Sequence, residues 1–366
     1  KLPGTTGWQN APEEEPCAKV KQFGRSSFVG GVSDGQSGTV AFDFIANDFY
    51  AKDQKNVPGT VRVRKSWFFG SAGAFVALGS NLTASPTDDD DDVDFSDYNS
   101  QHTHTLNSAS DELYVGTTLN QVLWRGDVTA DSTGTLGRGV HNISTAKWVH
   151  HDDVAYIFLP SEAQPLLDIQ LTLQTQNGSW HRINDPESDA PVSAEVFTLE
   201  LLHGHSPRGG TYGYIVVPAV DLKDMPTVYS HTIAAFSVIQ NTASVQALET
   251  KDRSNADILH AVVYEPGSTV TGGQGFTLSN VSWPCALQVR ETSTGVQFAV
   301  ADPTNNNSTE VSVSFDIDVV VKGGATVSEH GGTVDCVPID SKSSSVKIVL
   351  PGGVWAGSSF VGTCGH

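Results

Sequence analysis

The chain has 366 residues, with 41 Asp and Glu against 21 Lys and Arg, and a formal charge of −20. Only 17% of residues are charged and 38% are hydrophobic, while 7 Trp, 8 Tyr and 16 Phe exclude a disordered acidic chain. At about 100–200 residues per domain the length predicts two or three domains, and the acidity argues against nucleic acid and anionic membrane as partners.

Lys1 reads as an internal or processed start, because no Met precedes it, so something N-terminal is expected to be missing. The segment Thr39-Val40-Ala41-Phe42-Asp43-Phe44 alternates apolar and polar residues, the period of a half-buried antiparallel strand. Gln170 to Thr175 and Val311 to Ile317 repeat the pattern. Gly, Pro, Asn and Asp punctuate these runs at short intervals, as hairpins require. No apolar run approaches the roughly 18 residues that span a bilayer; the best, Val154 to Leu159, is strand length, and a soluble chain is expected. Helix signals are sparse, and Thr232 to Val245 fits a short helix or a strand. With 35 Gly and this period throughout, the expected class is all-β, built of stacked antiparallel sheets. A turn-rich passage from Glu265 to Gly275 predicts a boundary, with a large domain over about residues 20–264, a smaller β-sandwich over 267–366 and a linker over 1–19.

Two features bear on compartment. Asn-X-Ser/Thr sequons stand at Asn81, Asn142, Asn177, Asn280, Asn306 and Asn307, a set expected of a secreted, extracellular glycoprotein. The four cysteines, Cys17, Cys285, Cys336 and Cys364, lack the CxxC spacing of zinc or redox sites and read as two disulfides, with free buried thiols the alternative. Cys336 with Cys364 is the expected pair, because both lie in the smaller domain; Cys17 with Cys285 would then tie the N-terminal segment to it.

Candidate chemistry is thin. Asp88 to Asp92 are five consecutive aspartates, a solvated loop or, alternatively, a calcium loop without the alternating ligand spacing of an EF-hand. His102/His104 and His203/His205 could share a strand face and a metal, whereas adjacent His150 and His151 face opposite ways. The residues by themselves imply no cofactor. No nucleophile elbow, phosphate loop or dinucleotide fingerprint is present.

A succession of motifs is more informative. Arg64-Lys65-Ser66-Trp67-Phe68-Phe69, Val76-Ala77-Leu78-Gly79-Ser80-Asn81 and Thr117-Thr118-Leu119-Asn120-Gln121 come first. They are followed by Lys147-Trp148-Val149-His150-His151-Asp152, Gly178-Ser179-Trp180, Leu202-His203-Gly204 with Tyr212 to Pro218, and Val300-Ala301-Asp302-Pro303-Thr304. Together with Lys1 to Thr6 they resemble, in order, the β part of polysaccharide lyase family 8, the hyaluronate, chondroitin AC and xanthan lyases. The resemblance implies a galactose-mutarotase-like supersandwich followed by a smaller sandwich, and a polysaccharide partner. It also implies that an N-terminal α/α toroid, which supplies the family's catalytic Asn, His, Tyr and Arg, would precede Lys1, so no catalytic residue is expected in this chain. His150, His151 and His203 are then expected to order strands and turns.

In that family a sugar 4-linked to a uronic acid is eliminated. The carboxylate is neutralised, a base removes the C5 proton and an acid serves the leaving oxygen. The β domain closes one wall of the cleft. Arg62, Arg64 and Lys65 beside Trp67 are the local cationic excess suited to an anionic polymer, and Asp34 and Gln36 are candidates to brace the catalytic Arg, although Ser33-Asp34-Gly35 also reads as a plain turn. Where family members often carry acids after the Trp-Phe-Phe strand, this chain has Gly70-Ser71-Ala72-Gly73, which puts a metal site there in doubt. A non-catalytic, secreted carbohydrate-binding or structural glycoprotein is the alternative, since a shared sandwich does not carry the toroid's chemistry.

Overall fold

The computed structural model describes residues 1–9, 26–46, 60–70, 73–84, 114–160, 166–182, 186–251, 256–271, 277–305, 312–317, 324–327, 332–338 and 344–365. The alternation read in the sequence becomes four antiparallel sheets. The first runs β1 (Thr6–Gln9), β6 (Tyr114–Leu123), β13 (Val192–Leu202), β12 (Asp168–Gly178), β9 (Gly139–Asn142). The second and largest runs β2 (Val29–Ser33), β3 (Gly38–Ile45), β4 (Val61–Phe69), β5 (Phe75–Ala84), β14 (Gly210–Pro218), β11 (Val154–Phe158), β10 (Trp148–His151), β7 (Val128–Ala130), β8 (Gly134–Leu136). The third runs β15 (Phe236–Asn241), β16 (Val245–Lys251), β17 (Asp257–Val263), β20 (Cys285–Thr292), β21 (Gly295–Ala301), β26 (Phe360–Gly365). The fourth runs β18 (Ser268–Thr271), β19 (Thr277–Val281), β22 (Ser312–Ile317), β25 (Ser344–Val349), β24 (Thr333–Pro338), β23 (Gly324–Val327).

The sheets stack in that order, and each interface is an apolar layer made by one face of the pleat. Leu171, Leu173, Phe197 and Leu199 of the first sheet meet Val61, Val63, Tyr156 and Tyr214 of the second. On its other face the second sheet presents Ala41, Phe68, Val76 and Ile215 to Leu248, Val262 and Tyr264 of the third. The far face of the third sheet packs Leu259, Leu287 and Phe298 on Val334, Val346 and Ile348 of the fourth. Much of the second sheet is therefore covered on both sides, which is why β5 reads nearly continuously buried. Helix α1 (Met225–Ala235), with Pro226 in its first turn, caps this stack. The ambiguous stretch Thr232 to Val245 is thus the end of α1 followed by β15.

The second–third interface is polar at its centre. Ser66 Oγ donates to Gln246 Oε1 and contacts Tyr264 Oη at 3.0 Å, and Tyr264 Oη lies 2.9 Å from the Lys65 carbonyl. Gln246 Nε2 donates to the Arg64 carbonyl at 3.0 Å and to Ser80 Oγ at 3.1 Å. His260, fully buried, bonds Thr39 and Thr250 through its two ring nitrogens at 3.0 Å each. Satisfied groups of this kind hold two sheets at one offset, because a shift would strand each of them.

Three expectations are corrected. The boundary at 264–267 cuts through the third sheet, where β17 and β20 pair from Ile258↔Arg290 to Val263↔Cys285. The Gly- and Pro-rich passage there carries the chain out to the hairpin β18–β19 of the fourth sheet and back, so it marks a change of layer. Residues Thr6–Gln9 of the expected linker are a strand paired with β6. Of the cysteines, Cys336 and Cys364 are bonded with Cα atoms 6.0 Å apart, joining the fourth sheet to the third. Cys285 is a free thiol buried in the core between those sheets, so the second expected disulfide is not formed; Cys17 lies outside the described residues.

Removing one phenolic oxygen tests the polar centre. Tyr264→Phe leaves the packing but strips partners from Ser66 and Gln246, and we expect a loss of about 1–3 kcal/mol. The readout is a lower urea midpoint at unchanged slope. An unchanged midpoint would show that the network adds nothing.

Candidate functional site

Strand β4 lies between two covered faces and sends neighbouring side chains opposite ways. Lys65 points toward the first sheet. It is 3% exposed, donates from Nζ to the Gly4 carbonyl at 2.7 Å and sits 5.0 Å from the Phe44 ring centroid. Trp67 is half-buried on the same face, beside Gly4. Arg64 goes to the third sheet, where it bonds the Ala243 carbonyl, pairs with Glu265 at 2.7 Å and lies over Tyr264 at 5.1 Å. Arg62, across a register shift, is exposed.

Around Lys65 the N-terminal segment closes a polar cluster. Thr6 and Thr117 hydroxyls are 2.7 Å apart, Thr117 Oγ1 is 2.7 Å from His203 Nε2, and Tyr212 bonds both threonines. The Tyr212 ring lies flat on Gly79, where an added Cβ would come within 2.1 Å of it, so only glycine fits. Burial, with the nearby Lys65 cation, pushes the His203 pKa down to about 3, while burial raises that of Tyr212. Burial alone lowers Lys65 to about 7. The cluster thus holds a neutral imidazole and a protonated phenol, both behind residues 4–6. Next to it Glu200, 3% exposed, accepts from Lys1 Nζ at 2.7 Å and Thr118 Oγ1 at 3.3 Å.

Asp34 and Gln36 do brace an arginine, but it is this chain's own Arg290. Asp34 Oδ2 accepts from Arg290 Nη2 at 2.5 Å, and Gln36 Oε1 is 3.4 Å from Nη1. Asp34 Oδ1 takes the Gln36 and Ser37 backbone N–H groups at 2.9 and 2.8 Å, an Asx turn. Desolvation opposes ionisation here, yet the turn N–H groups and Arg290 outweigh it and lower the Asp34 pKa. Of the six residues proposed for a substrate wall, Asp34, Arg64 and Lys65 are therefore spent inside the fold, Gln36 supports Arg290, Trp67 is half-covered and Arg62 is at the surface. The physical reason is that β4 is covered on both sides, which a cationic run does not announce.

The histidines behave as scaffold. His150 bonds the Val220 carbonyl at 2.7 Å, and His151 accepts the Arg125 N–H at 3.1 Å while stacking on Phe197 at 4.3 Å. His203 stands at the end of β13, entering the turn. Among the described residues no three His, Cys, Asp or Glu side chains gather as a metal site. His102, His104, the Asp88–Asp92 run and its calcium alternative lie outside the described residues, as do Ser71 and Ala72. Sequence reading missed Glu200 and Arg138. Arg138 bonds Thr175 Oγ1 at 3.0 Å and Glu195 at 2.5 Å beside Trp124 on the rim of the first sheet. A lone carboxylate in Thr198-Leu199-Glu200-Leu201 was the available signal.

Four stacked antiparallel layers, the first receiving its edge strand from the N-terminus, define an all-β supersandwich with a smaller sandwich upon it. Residues 1–93 and 95–229 match the polysaccharide lyase family 8 super-sandwich domain, and residues 237–311 match that family's C-terminal beta-sandwich domain. The chain belongs to polysaccharide lyase family 8. It is 28% identical over 317 residues to the chondroitinase-AC of Pedobacter heparinus, covering 85% of this chain and 37% of that one. To the hyaluronate lyase of Thermasporomyces composti it is 24% identical, covering 84% and 34%. Among solved structures, a chondroitinase AC lyase studied in oligosaccharide complexes superposes with TM-score 0.69 and 24% identity, over 98% of this chain and 43% of that one. A Paenibacillus xanthan lyase gives TM-score 0.71 at 18% identity, over 100% and 30%, and these superpositions show the fold. The chain spans less than half the length of each of these relatives. No helix among the described residues is long and apolar enough to cross a membrane.

The buried bases set a pH dependence. His203 and His260 have folded pKa values of about 3 and 4 against 6.5 unfolded, and Lys65 about 7 against 10.5. In each case the unfolded chain binds more protons between the two values, so stability rises with pH through that window. Urea unfolding should show a free energy that climbs from pH 4.5 to 6.5 and again from 7.5 to 9.5. The upper slope approaches about 1.4 kcal/mol per pH unit and vanishes in Lys65→Met. A wild-type profile flat between pH 7.5 and 9.5 would show that Lys65 keeps its proton when buried.

Proposed function

We propose that this chain is the β portion of a secreted polysaccharide lyase that cleaves uronic-acid-containing polysaccharide by β-elimination, and that it forms one wall of the substrate cleft. The observation that carries the reading is the family match running from residue 1 to residue 311 across both β domains. Relatives named for chondroitin, hyaluronate and xanthan support a substrate class of long polymers bearing carboxylates. The C5 proton of a uronate becomes acidic enough to remove only when its carboxylate is neutralised by donors and a base stands within about 3 Å. The Tyr212–His203 pair has the right chemical types but lies behind residues 4–6, so it serves the scaffold. In this reading the reacting groups come from a helical partner domain, the wall offers Arg62, and secretion accounts for the sequons and the Cys336–Cys364 bridge.

Incubating the purified chain with hyaluronan, chondroitin and xanthan tests this. We expect retention on at least one polymer at low salt, weakened by Arg62→Glu, with no growth of the ultraviolet absorbance of an unsaturated uronate. Sustained product that disappears in Tyr212→Phe or His203→Ala would move the chemistry into this chain. Failure to retain any of the polymers would overturn the wall.

A further inference from the structure

The sequons are not equivalent once the chain is folded. Asn81 lies in β5, a central strand of the second sheet, between fully buried Ser80 and Leu82. Its backbone has φ 50°, and the ladders to both neighbouring strands, β4 and β14, shift register around it. Asn142 is exposed, but the turn it opens uses its whole amide. Its Nδ2 donates to Asp168 Oδ1 at 3.1 Å and its Oδ1 accepts the Ser144 N–H at 3.1 Å. The hydroxyl of that sequon is used too, since Ser144 Oγ donates to Asp168 at 3.1 Å and accepts the Ile169 N–H at 3.0 Å.

Asn177 stands in a different setting, although its sequon hydroxyl is engaged too, Ser179 Oγ donating to Asp189 Oδ1 at 2.9 Å. It is exposed at the end of β12, where the hairpin to β13 leaves the sheet. Its Oδ1 accepts from Ser193 Oγ at 2.6 Å, which fixes the amide plane while the carbonyl oxygen, and not Nδ2, does the holding. The sequon continues through Gly178, which offers no side chain and has open space around its α-carbon, to Ser179. Three residues on, Trp180 is 57% exposed, and Val192, paired with Gly178, is 44% exposed. The acceptor thus stands beside an apolar surface that a sugar can cover.

We propose that Asn177 is an N-glycan acceptor that remains competent in the folded chain, and that Asn81 is not one. The proposal rests on the secretory reading above. The donor is a lipid-pyrophosphate-linked oligosaccharide. Its anomeric C–O bond breaks, an N–C bond forms to Asn177 Nδ2, one amide proton leaves and the lipid pyrophosphate departs. The remaining amide N–H and the Ser193 contact are undisturbed.

The full chain is secreted from a eukaryotic host behind a supplied leader, so the result does not depend on its native route, and its peptides are examined by mass spectrometry with and without endoglycosidase. We expect glycan on the Asn177 peptide, its loss in both Asn177→Gln and Ser179→Ala, and an unmodified Asn81 peptide. An unmodified Asn177 peptide overturns the proposal, whether or not other sequons are filled, and so does glycan on Asn81. The polymer experiment uses chain without glycan, so failure of this site and failure of the cleft reading are told apart.

Discussion

The Gln246 side chain is the constraint around which the rest is arranged. It is fully buried between the second and third sheets and reaches Ser66, Arg64, Ser80 and Asn241. An apolar face tolerates sliding by a residue pair at modest cost, since one Val or Leu replaces another. A buried amide does not, because each lost partner leaves a polar group dry at about 1–3 kcal/mol. With Tyr264 on one side of it and His260, Gln288 and the Asp34–Arg290 pair further along, the interface has one offset at which these bonds form. The two sandwiches are thereby one body, joined through the second and third sheets.

That joint governs what β4 can present. With the third sheet held against one face, Arg64 and Ser66 are committed to it, and Lys65 and Trp67 must face the first sheet. The N-terminal segment is drawn into the same place, its Gly4 carbonyl accepting the hydrogen bond of the Lys65 amine and its Thr6 hydroxyl completing the Tyr212 cluster. A chain entering from a preceding domain would in this way be fixed to the β stack at its first strand.

Much of the fold was legible because alternation is a local signal. Gln170 to Thr175 lies within a strand with its leucines buried, Thr39 to Phe44 is a strand whose Thr39 and Ala41 face is the buried one, and the ordered motifs pointed to the right family. The site was less legible, because burial on both faces is not local. Nothing in Arg62-Val63-Arg64-Lys65 says that a third sheet, formed almost two hundred residues later, covers Arg64. Asp34 read equally as a turn residue or a brace, and it is both, since the Asx turn aims its second oxygen at Arg290. The passage after Tyr264 looked like a domain boundary because leaving one sheet for another needs the same Gly and Pro as leaving a domain. Cys285 could be paired on parity of count, but its side chain faces a closed apolar layer.

The central claim is that the four layers unfold as one unit because the polar joint couples them. Hydrogen exchange in intermediate urea, followed by mass spectrometry on peptides from β4 and β5 and from β20 and β21, tests it most directly. The account predicts that both sets lose protection at the same urea concentration with the same rate. Loss of protection in β20 and β21 while β4 and β5 remain closed would contradict it, and would show two bodies that merely touch.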